Sequence, residues 1–177
     1  MLLFLLACDP PEAAARPGVP APAAAPVDNP YLSMRQLALS MTPGEGGAPP
    51  GEGGVYAVVT DWGSAAGSVT IVATRGGDAS MYYSGGGGTI GLGGKAPVRA
   101  AAQALCAVAA GLESAATPTA DTTTLSQPGR FRALLLTPSG VRALEGNPEA
   151  LTPGSPEERL FNQVNLLVTS IRAASPE

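Results

Sequence analysis

The chain contains no histidine, and among its 177 residues this absence excludes more chemistry than any other feature. Histidine is the commonest general base near neutral pH and the commonest metal ligand, so Ser–His and Cys–His nucleophile pairs go with it. Cysteine is nearly absent too: Cys8 and Cys106 alone cannot supply a four-ligand zinc site of the usual kind within one chain. Lysine occurs once, at Lys95, and the other nine basic residues are arginines scattered along a chain of formal charge −4. A general nucleic-acid binder needs a basic stripe to displace counterions, so that class is excluded, as is a polybasic patch for anionic membranes. Long apolar runs are missing as well: the longest at the start, MLLFLLAC, is far short of the about 20 residues that span a bilayer.

Proline and glycine are abundant, at 18 and 23 residues, nearly a quarter of the chain. Much of this is concentrated in residues 9–30 and 42–54, which leaves one folded domain of roughly 120 residues, enough for an adequate core. Residues 1–8 end in Leu5-Leu6-Ala7-Cys8, which resembles the lipobox of bacterial lipoproteins. The resemblance implies a signal remnant over 1–8, cleavage before Cys8, and a lipid on that cysteine. Residues 9–30 are Pro/Ala-rich without apolar periodicity, as suits a semi-rigid tether extending about 3.1 Å per residue. An undirected disordered tail is the competing reading of the same stretch.

The folded domain is expected over residues 31–173, with a flexible loop at 42–54 and a tail at 174–177. Residues 29–41 carry apolar positions at mixed helical spacing and read as a short helix. The segments VYAVVTDW (55–62), SVTIVATR (68–75) and ASMYYS (79–84) are β-like runs separated by short turns, hence three consecutive antiparallel strands. Residues 96–116 form an alanine-rich amphipathic helix with Pro97 in its first turn. A polar loop (117–129) leads to a strand at 130–137 and a short edge strand at 141–146. Ser155-Pro156-Glu157-Glu158 then signals the start of the last helix. The order (α)βββαββα defines an α+β domain, with an antiparallel sheet of about five strands packed by helices. This element order resembles the profilin-like and roadblock-like small domains, with three strands in place of two ahead of the middle helix.

Two segments invite functional readings. SGGGGTIGLGGKAPVR (84–99) contains Gly86-x-Gly88-x-x-Gly91, the spacing that cradles a pyrophosphate when it joins a first parallel strand to a helix. Here it follows a third antiparallel strand, so a flexible hinge is the competing account. VVTDWGSAAG (58–67) resembles the first phosphate loop of actin-like ATPases, or the first acidic strand of a ribonuclease H fold. A metal-dependent nuclease gathers several carboxylates, whereas the strands and turns offer only Asp61, Asp78 and Glu145; the bland account is a hairpin aspartate capping backbone N–H groups. Tyr82 and Tyr83 are adjacent, so a regular strand sends them to opposite faces. With Trp62 and Tyr56 on neighbouring strands they could also form an aromatic platform or simple cross-strand packing. Cys106 lies on the apolar side of its helix and reads as a small buried hydrophobe.

These readings converge on a non-enzymatic interaction module, lipid-anchored at Cys8 in a bacterial envelope, with no cofactor, metal or nucleic acid. Its partner is another protein or a second copy, and Tyr82, Tyr83 and Arg142 are candidate contacts. The alternatives are a cytoplasmic location and a nucleotide- or phosphate-binding domain using Asp61 with residues 85–94, Gly86, Gly88 and Gly91 among them.

Overall fold

The structure, a computed structural model, describes residues 30–49 and 51–175; the lipobox-like segment with Cys8 and the Pro/Ala-rich stretch lie outside the described residues. Three helices, α1 (Pro30–Leu39), α2 (Ala96–Gly111) and α3 (Pro156–Ala174), accompany seven strands. These are β1 (Ala57–Ser64), β2 (Gly67–Thr74), β3 (Ala79–Tyr83), β4 (Gly88–Thr89), β5 (Thr117–Pro118), β6 (Phe131–Thr137) and β7 (Gly140–Gly146). They form one open antiparallel sheet in the order β4-β3-β2-β1-β6-β7-β5.

The α+β class and the antiparallel sheet packed by helices are as expected; the count of about five strands is not. The two additional strands, β4 and β5, are two residues long. A pair of residues has no alternation to betray it, and Gly88–Thr89 lies inside a glycine tract that reads as loop. The 141–146 strand is accordingly not the last in the sheet and is covered over part of its length: Thr117 and Pro118 of β5 pair with Ala143 and Arg142 of β7. The middle helix also stops earlier than expected, at Gly111, and gives way to a 3-10 turn over Glu113–Ala115.

Both faces of the sheet are covered, and the pleat sorts the strand residues between them. Val58, Ile71, Ala73, Met81, Ala133 and Leu135 face α2 and α3. From α2 come Val98, Ala102, Leu105, Cys106 and Ala109, where the small side chains permit close approach; from α3 come Leu160, Phe161, Val164, Leu167, Val168 and Ile171. Each fully buried Leu, Ile or Val here contributes about 1.5–3 kcal/mol of apolar transfer. On the opposite face, Ala57, Val59, Val72, Tyr82, Leu134 and Leu136 lie beneath α1 and neighbouring loops, with Tyr31, Ala38 and Ala48 packed on them. Double coverage explains why β6 is buried at every position and reads as the continuous run FRALLLT.

Capping follows local chemistry. Ser155 caps α3 by accepting from the Glu158 N–H at 3.2 Å, and the Glu158 carboxylate accepts from the Gly154 N–H at 2.6 Å. Trp62, on the α3 side, meets Phe161 edge-on at a centroid distance of 5.1 Å, and Phe161 stacks on Phe131 at 4.8 Å. Tyr56 and Tyr82 belong to the opposite face. The aromatic residues of neighbouring strands are therefore divided by the sheet, and they do not form one platform.

Candidate functional site

On the α1 side, one register row crosses the sheet: Glu145, Arg132, Asp61, Thr70, Tyr82 and Gly88 are successive partners on β7, β6, β1, β2, β3 and β4. Asp61 is wholly buried in this row. Its carboxylate accepts from Arg35 Nε at 3.0 and 2.9 Å and from Arg35 Nη2 at 2.5 Å. A hydroxyl carries one proton and a carboxylate only accepts, so Thr70 Oγ1 donates to Asp61 Oδ1 (2.7 Å) while Tyr31 Oη donates to Thr70 (2.8 Å). Arg35 Nη1 donates to the Thr122 carbonyl at 2.7 Å. Burial, the largest cause, raises the Tyr31 phenol above its ordinary value, and Asp61 nearby adds to the rise.

This geometry corrects the reading of Asp61 as a turn cap. The residue stands within β1, ahead of the Ser64–Gly67 hairpin, and its partners are side chains. Its carboxylate is sequestered under α1 and matched by a guanidinium, which fixes the helix to the sheet. Arg132 ties down the neighbouring loop: Nη1 lies 3.1 Å from Asp121 Oδ2, Nη2 donates to the Asp121 carbonyl at 2.9 Å, and Nε lies 3.0 Å from Glu145 Oε1. Hydrogen bonds from Thr124 first, then the Arg132 guanidinium, hold the Asp121 carboxyl well below the usual carboxylate range.

Beside this locked row, α1 and the β2–β3 face do not close completely. An open groove of about 460 Å³ runs between them. Met34, Leu37 and Ala38 of α1, with Met41 just beyond it, form one wall, Val72, Thr74, Ser80 and Tyr82 its floor, and Ile90 its far rim. A smaller recess of about 150 Å³, bounded by Pro30, Tyr31, Tyr83 and Gly86–Gly88, shares Met34, Tyr82 and Ile90 with it and prolongs it toward the β3–β4 turn. At the other end stand Glu45 and Asp78. Leu37 is 73% exposed and Ile90 64%, so both rims hold large apolar side chains in water.

The sequence candidates are distributed unevenly over this site. Tyr82 lies on the groove floor, 5% exposed, with burial pushing its phenol up to about 12; Tyr83 borders the recess and is 38% exposed. Gly86 and Gly88 adopt positive φ in the β3–β4 turn and edge strand, bounding the same recess, and Gly91 follows in the link to α2. Asp61 and Gly88 are three strands apart, about 14 Å, and Asp61 is enclosed, so the structure does not bring them to one surface. Arg142 is engaged elsewhere, donating to the Glu113 and Ala116 carbonyls at 2.8 and 2.7 Å and so tying the turn after α2 to β7. Cys106 is buried, which pushes its thiol up to about 12.

Sequence reasoning missed Leu37, Met34, Met41 and Ile90. The signal was present in the mixed apolar spacing of residues 29–41. Tyr31, Arg35 and Ala38 form the buried stripe, Met34 and Met41 are partly buried against the same core, and Leu37 beside them stays in water. Among the described residues no three His, Cys, Asp or Glu side chains are grouped to hold a metal, and no helix is long and apolar enough to cross a membrane. The fold and groove define a small α+β domain with an apolar surface cleft. No family model, curated protein or solved structure matches the chain.

Proposed function

We propose that this chain is a non-enzymatic protein-interaction module, carried on a lipid tether at Cys8 in a bacterial envelope, with the groove between α1 and β3 as its contact surface. One observation carries the reading: Leu37 of α1 and Ile90 leave large apolar side chains exposed on the two rims of a preformed cleft that Met34, Met41 and Tyr82 also line. Scattered exposed hydrophobic residues are ordinary, but a contiguous set lining a concavity marks a binding surface. The lipobox-like Leu5-Leu6-Ala7-Cys8 and the Pro/Ala-rich stretch behind it support the tether. The rival phosphate-binding reading loses its acidic partner, because Asp61 is already matched by Arg35 and Thr70 in a buried setting.

The test is site-specific photocrosslinking in intact cells of the source organism. A benzophenone side chain at position 37 or 90 should capture a protein; the same group at Leu166, an exposed residue on α3, should not. Equal capture from all three positions, or none from 37 and 90, counts against the groove. Acyl-probe labelling of the parent but not of Cys8→Ser tests the anchor separately.

A further inference from the structure

We propose that the groove's occupant is a cationic amphipathic segment of a partner protein, with apolar side chains set beside Lys or Arg; the inference rests on the groove being the contact surface. The exposed rims favour a polypeptide over a small apolar ligand. A small molecule within the cleft would touch only the inward sides of Leu37 and Ile90 and leave their outer sides in water, whereas a peptide laid along it covers more of both.

Charge supplies the second half of the argument. Glu45 and Asp78 line the groove from two turns joined by the Gly76 N–H donating to the Gly46 carbonyl at 2.9 Å, and among the described residues no Lys or Arg lines the groove or the adjoining recess. The Glu45 carboxylate is preset, accepting from the Thr42 N–H and Oγ1 at 2.7 Å each, yet it is fully exposed and takes no ion pair among the described residues. Asp78 likewise has no ion pair among them. The nearby cations are engaged elsewhere: Arg99 Nε donates to the Gly93 carbonyl at 2.8 Å, and Arg75 pairs with Glu52.

The same carboxylates decide against two other occupants. A second copy docked groove to groove would bring two Glu–Asp pairs together with no cation between them, and juxtaposed like charges are strongly disfavoured. An anionic membrane surface meets the same repulsion. A segment with Lys or Arg next to its apolar anchors satisfies both the rims and the acidic end.

Selection from a phage-displayed library of random 12-residue peptides on the full-length chain tests this. The expected consensus combines apolar anchors with Lys or Arg, and selected peptides should lose binding to Leu37→Glu and Ile90→Glu, both surface changes verified by an unchanged melting curve. The double reversal Glu45→Lys/Asp78→Lys should weaken those peptides by roughly tenfold at low salt, and selection on it should shift toward acidic peptides. A neutral or acidic consensus on the parent chain, or no enrichment over the Leu37→Glu control, overturns the inference. If photocrosslinks at positions 37 and 90 still capture a protein, the interaction surface stands and only its chemistry is wrong. If they capture nothing, the surface itself falls.

Discussion

Asp61 and Arg35 show how little a residue's type says about its role until its partner is known. Removing one member of a buried pair leaves the other charge desolvated and unmatched, which costs about 3–5 kcal/mol. Asp61→Ala or Arg35→Met should each lower unfolding stability by that order in urea titrations followed through Trp62, the chain's one tryptophan. The double variant Arg35→Met/Asp61→Leu should lose clearly less than the sum of the two; additive losses would mean that the pair is not coupled. Gly63 offers a steric counterpart. A Cβ there would sit 2.3 Å from the Gln127 carbonyl oxygen and 2.7 Å from that of Ser126, both backbone atoms. Gly63→Ala should therefore destabilise by about 1–3 kcal/mol through overpacking. Gly44→Ala, which meets nothing within 4 Å, should leave the midpoint unchanged or slightly raised.

Among the elements, α1 is held differently from α2 and α3. Its buried face is Tyr31, Arg35 and Ala38, so a polar lock does much of what apolar side chains do for the other two helices. Hydrogen exchange should open the α1 amides before those of α2 and α3, and Asp61→Ala should accelerate α1 selectively. Uniform exchange across the three helices would refute the lock. Ser155→Ala should cost about 1 kcal/mol at the start of α3. The longer elements were legible because periodicity and capping are local: the alternation in SVTIVATR, the stripe through Leu160 and Ile171, and the Ser155 cap each reappear in the structure. The groove was not, because it depends on which stripe of α1 meets the sheet. That choice is made by Asp61, 26 residues from Arg35, and local spacing carries no record of such a partner. The Trp62 contact with Phe161 was hidden for the same reason.

For the whole molecule, burial sets the alkaline limit of stability. Cys106 and Tyr82 both have folded values raised to about 12, from 9.0 and 10.0, chiefly by desolvation. The folded state holds these protons more tightly, so their contribution is complete below about pH 9 and is lost as pH rises toward 12. Melting temperature should decline over that interval, and Tyr82→Phe should reduce the slope. A profile flat to pH 12 would contradict the burial of both groups. Alkylation at pH 8, mapped by mass spectrometry, should reach Cys106 about a thousandfold more slowly in the native chain than in urea, since the thiolate is the reacting form. The ends of the sheet carry a consequence of another kind. β4 offers only Gly88 and Thr89 at one margin, and β5 closes the other with Thr117 and Pro118, whose ring nitrogen has no hydrogen to donate. Among the described residues, each marginal strand offers a neighbouring molecule only two residues of backbone on which to extend the sheet. If the domain is confined to a membrane surface by the proposed lipid tether, many copies can crowd into a thin layer and remain separate, each presenting its cleft independently.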